Sequence, residues 1–78
     1  MINTILVEDD LYIQKHFAER LKSNEIFRLV GVYRDAFEAE RNCNSSIQLI
    51  LMDVQTQHKH SGLAAAERIK KVFPQIKI

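Results

Sequence analysis

The sequence predicts an α/β domain built on a parallel sheet, and three observations predict it. Short β-branched apolar segments alternate with longer segments whose apolar residues recur at helical spacing. The run Leu49-Ile50-Leu51-Met52 does not alternate, as expected of a strand covered by helices on both faces. Gly (2) and Pro (1) are too scarce for an all-β chain full of tight turns.

Each element follows in order. Ile2–Val7 reads as a strand, stopped by Glu8-Asp9-Asp10, with Asp10 as N-cap of the next helix. That helix is expected over 11–23, where Ile13, Phe17 and Leu21 at i, i+4 and i+8 make one apolar face. Phe27–Tyr33 reads as a second strand, with Gly31 weakening its middle. A short, poorly amphipathic helix is expected over 35–43, a polar loop over 42–46 and a third strand over 47–52. A polar loop over 55–61 then leads to a helix over 62–73. Ser61 is its expected cap, Ala65, Ala66, Ile69, Val72 and Phe73 its apolar stripe, and Pro74 its terminator. Residues 75–78 read as the first residues of a fourth strand.

Composition narrows the function. Eleven basic against ten acidic residues give a net charge of +1, so no strong pull toward nucleic acid or anionic membrane is expected. The single Cys43 excludes an internal disulfide and a multi-Cys zinc site. No apolar run approaches the ~18 residues of a membrane span, and the N-terminus lacks the basic region of a signal peptide. A cytoplasmic location is the expectation.

Two acidic signals fall at equivalent places. Glu8 and Asp9 follow the first strand and Asp53 follows the third. Open parallel sheets bind ligands at the carboxyl ends of their strands, near the switch in strand order. With the flavodoxin-like, doubly wound order 2-1-3-4, strands one and three are neighbours and these carboxylates share one pocket. Clustered anions repel, and a hard divalent cation such as Mg²⁺ relieves that cost. A carboxylate beside it can attack a phosphoryl group.

ILVEDD before an amphipathic helix, then LILMDVQ, then SGLAAAERIKK and FPQIKI, together resemble the receiver domain of two-component response regulators. The resemblance runs over essentially all of 1–78, in order. Each motif is weak alone, but an acid pair after strand one with an Asp after strand three is specific. The resemblance implies Asp53 as phosphoacceptor, with Glu8, Asp9, Asp53 and the Gln55 backbone carbonyl around Mg²⁺. It implies a sensor histidine kinase as phosphoryl donor and self-catalysed phosphorylation rather than turnover. DNA would be reached only through a separate output domain in transcription regulation.

The chain departs from the receiver pattern in two respects. DVQTQHKHSG has Thr56-Gln57 where the family has Met-Pro, and Gly62 stands one residue late. The family's Thr or Ser after strand four and Lys after strand five have no counterpart in 1–78. The expectation is therefore a partial receiver domain, a fragment truncated before the end of strand four, with little phosphotransfer of its own. Apolar surface at Leu49, Leu51 and 75–78 is then expected to drive dimerisation or a swapped oligomer.

Other readings carry less. A Mg²⁺-dependent phosphohydrolase of the haloacid-dehalogenase type needs D-x-D, which Asp53-Val54-Gln55 lacks. A non-catalytic interaction module is the alternative. His58 and His60 lack a third ligand nearby and read as a solvated loop. His16 reads as exposed, Cys43 as a helix-end residue, and Arg68, Lys70 and Lys71 as a solvated basic face.

Overall fold

The residues form β1 (Ile2–Val7), α1 (Leu11–Lys22), β2 (Phe27–Tyr33), α2 (Ala36–Arg41), β3 (Leu49–Met52) and α3 (Lys59–Val72). The structure is a computed structural model that describes residues 1–52 and 59–78, the side chains of 59–61 excepted. Asp53, Gln55 and His58 therefore lie outside the described residues, as does the side chain of His60. The sheet is three-stranded and parallel throughout, in the order β2-β1-β3. That order is compatible with the first three strands of the expected doubly wound sheet.

β1 is the central strand because its residues serve both faces. Ile5 and Val7 join Ala39, Ile47, Ile50, Ile69 and Ile76 in one buried cluster, on the face that α2 and α3 cover. The alternate residues Thr4 and Leu6 are buried on the other face, where α1 packs. Thr4 satisfies its hydroxyl by donating to the Ile2 carbonyl at 2.9 Å, as a buried polar group requires.

β2 pairs with β1 in a register that slips once. Thr4 faces Leu29 but Ile5 faces Gly31, so Val30 is an extra residue, a bulge. Gly31 has a packing reason. A Cβ there would stand 2.7 Å from the Tyr33 ring, which lies across it.

Several boundaries differ from expectation. β3 starts at Leu49, not at residue 47, because Ile47 turns back to donate its N–H to Asn44 O at 3.2 Å. Asp35 is the N-cap of α2 rather than its first residue, accepting from Glu38 N at 2.8 Å. α3 begins at Lys59, so Ser61 stands inside the first turn instead of capping it. Ser is common both at caps and in first turns, and a polar first turn hides the true start. Gly62 lets α3 approach β3 closely, since a Cβ would lie 3.2 Å from Met52 Sδ.

Residues 75–78 make a single parallel bridge, Leu49 with Lys77, rather than a full strand. Ile50 N donates to Lys77 O at 2.8 Å and Lys77 N to Gln48 O at 3.1 Å. On this side Ile76 is buried in the core, Leu49 and Leu51 are half-buried, and Ile78 is 46% exposed. Among the described residues no helix is long and apolar enough to cross a membrane.

Arg68, Lys70 and Lys71 of α3 are exposed, and two of them also make contacts. Lys70 Nζ donates to Pro74 O at 3.0 Å and Ile76 O at 2.6 Å, tying the chain after α3 to the helix end. Arg68 forms a two-pronged ion pair with Glu40 of α2, both contacts at 2.7 Å, and its guanidinium stands 5.3 Å from the centre of the Phe37 ring. The hydrogen bond from Arg68 holds the Glu40 carboxyl below its ordinary value. A lowered carboxyl pKa gives stability that is present above the unfolded value of 4.5 and lost as pH falls through the folded one. Replacing Glu40→Gln should lower the thermal midpoint at neutral pH by a few degrees. The gap between parent and variant should narrow as pH falls below 4.5 and through the lowered folded value; melting curves across pH check it.

Candidate functional site

The acidic turn between β1 and α1 is fastened from three sides. The Glu8 N–H continues the β1–β2 ladder by donating to Tyr33 O at 3.0 Å. The Glu8 carbonyl accepts from Gln14 Nε2 at 3.0 Å. Its carboxylate Oε2 accepts the Asp10 N–H at 3.1 Å. Glu8 is 4% exposed, so this is a buried acid held by its own turn.

The three acids divide the work. Asp10 Oδ1 accepts from Tyr12 N at 2.9 Å and Ile13 N at 3.0 Å, which makes it the α1 N-cap that the sequence implied. Asp9 stands between them, half-exposed. Among the described residues its carboxylate takes no hydrogen bond or ion pair. It is the acid best placed to serve something outside the chain.

The register brings the far strand into line. Val7 pairs with Met52, and these two residues precede Glu8 and Asp53 in the sequence. Of the four positions expected around a metal, Glu8 and Asp9 are described and Asp53 and Gln55 are not. Asp9 offers a carboxylate with no hydrogen bond or ion pair among the described residues, next in sequence to the buried Glu8, and carboxylate oxygens are the donors a hard cation takes. Among the described residues no group of three or more His, Cys, Asp or Glu could hold a metal ion.

Beside the acids runs an apolar trough of about 420 Å³, lined by Leu6, Val7, Glu8, Ile13, Phe17, Leu51 and Met52. Neither it nor the role of Gln14 was anticipated from sequence. Gln14 lies four residues past the cap, on the flank of the Ile13–Phe17 stripe. A polar residue at the edge of a buried face was its one signal.

Cys43 is half-buried just beyond α2. Burial, and then the neighbouring Glu40 carboxylate, push its thiol above the ordinary value, which makes it a weak nucleophile. His16 is exposed, its ring edge-on to Phe17 at 6.2 Å.

Comparison of the chain with protein-family models, with curated proteins and with solved structures gives no match.

The division of labour among the acids is testable by urea unfolding. Asp10→Ala should cost about 1 kcal/mol through loss of the cap. Asp9→Asn should change stability by less than about 0.5 kcal/mol.

Proposed function

We propose that this chain carries the metal and phosphoacceptor residues of a receiver-type module, in which a sensor histidine kinase would phosphorylate Asp53 at a Mg²⁺ site formed with Glu8, Asp9 and the Gln55 carbonyl, with little phosphotransfer by residues 1–78 on their own. The observation that supports the reading is the β1–β3 register. It aligns Val7 with Met52, the residues before Glu8 and before Asp53. At that end of the sheet Glu8 is buried, and Asp9 takes no hydrogen bond or ion pair among the described residues.

Bound Mg²⁺ would neutralise the oxygens of the incoming phosphoryl group. Asp53 would provide the attacking carboxylate oxygen, forming an acyl phosphate as the phosphorus–nitrogen bond of the donor histidine breaks. Glu8, fixed by Asp10 N–H, Gln14 and Tyr33, would hold the geometry of the acidic turn while Asp9 reaches outward. On this reading the protein is a cytoplasmic signalling component and not a turnover enzyme.

Paramagnetic Mn²⁺ in place of Mg²⁺ provides the test. Sub-stoichiometric Mn²⁺ should broaden the amide signals of residues 8–10 and 52–54 first, and Asp9→Asn or Asp53→Asn should remove the effect. Broadening centred on His58 and His60, or spread evenly over surface carboxylates, would refute the site.

A further inference from the structure

Among the described residues the Asp9 carboxylate takes no hydrogen bond or ion pair. Its direction is therefore decided by the peptide groups on either side of it. The peptide that joins Glu8 to Asp9 has its carbonyl oxygen held by Gln14 Nε2 at 3.0 Å. The peptide that joins Asp9 to Asp10 has its N–H held by Glu8 Oε2 at 3.1 Å. One carbonyl further on, Asp10 O accepts the Gln14 backbone N–H at 2.8 Å. Gln14 thus grips the chain on both sides of Asp9, with its side chain before it and its backbone after it.

The local sequence explains why this residue has the task. At many helix starts a Glu or Gln at the third helical position reaches back to the N–H of the cap residue. In α1 that position is Ile13, which lines the trough, and the cap N–H is already taken by Glu8. The reach back falls to Gln14, one residue later, and meets a carbonyl instead. A carbonyl can only accept, so the side chain there must donate, which a carboxylate cannot do. A carboxamide donates without bringing a positive charge toward the acids. Gln14 is half-buried, and shelter from water strengthens the bond.

We infer that Gln14 is a positioning residue for Asp9: by holding the Glu8 carbonyl it fixes the Glu8–Asp9 peptide and so aims the Asp9 carboxylate. Its bearing on a cation rests on the Mg²⁺ site proposed above. Without the carboxamide the peptide regains freedom that a bound ion has to remove again, and affinity falls although no ligand atom has been lost.

Two variants and two readouts test this role, with circular dichroism showing that each variant is folded. Gln14→Met keeps the length and helix propensity of the side chain and removes the donor. Gln14→Lys keeps a donor able to hold a carbonyl, as Lys70 holds Pro74 O and Ile76 O. Backbone nitrogen order parameters are measured without metal. That of the Asp9 amide should be about 0.85 in the parent, fall toward about 0.6 in Gln14→Met and recover in Gln14→Lys. Mn²⁺ affinity, read from the paramagnetic resonance of the free ion, should fall about tenfold in Gln14→Met. An Asp9 amide equally ordered in the parent and in Gln14→Met overturns the role. So does an affinity that Asp9→Asn abolishes and Gln14→Met leaves unchanged. A parent that binds no Mn²⁺ removes the metal site instead, and the order parameters alone then decide the role of Gln14.

Discussion

β1 is hydrogen-bonded along both edges and covered on both faces, and that double constraint fixes where its last residues go. Parallel pairing with β2 and β3 leaves no freedom of register, because a slip of one residue would exchange the buried Ile5 and Val7 with Thr4 and Leu6. The single irregularity, at Val30 and Gly31 of β2, is absorbed on the edge strand. β1 itself runs straight to Glu8.

The acidic turn inherits that rigidity. Glu8 is in effect the last rung of the β1–β2 ladder, and its carboxylate closes the turn by accepting the Asp10 N–H. Asp10 in turn starts α1. Three adjacent acids thus do three jobs: one buried and fixed, one presented, one capping. The same strand end carries the described half of the proposed phosphoacceptor site.

The sheet was legible in the sequence where apolar runs meet abrupt polar stops. β1 and β2 begin and end where composition says, since the acids at 8–10 and Arg34-Asp35 cut them sharply. β3 was overestimated because Ile47 is as apolar as a strand residue yet is buried from a turn. The start of α3 was misplaced because polar residues carry no periodicity. Lys70 and Arg68 looked like solvated charge, and only tertiary placement reveals a carbonyl clamp and an ion pair over an aromatic ring. At the candidate site, Asp10 was legible as a cap and Glu8 and Asp9 as the acidic end of a strand. The contribution of Gln14 and the open trough depend on how α1 sits over the sheet, which sequence spacing alone does not specify.

Amide hydrogen exchange under native conditions addresses the role of β1 most directly. If β1 is the element that holds the acidic turn, the amides of residues 2–8 should be the slowest in the protein, with the Glu8 N–H as protected as those of Ile5 and Leu6. Exchange of the Glu8 amide at the rate of the exposed turns, or of β1 as fast as edge strand β2, would contradict the account.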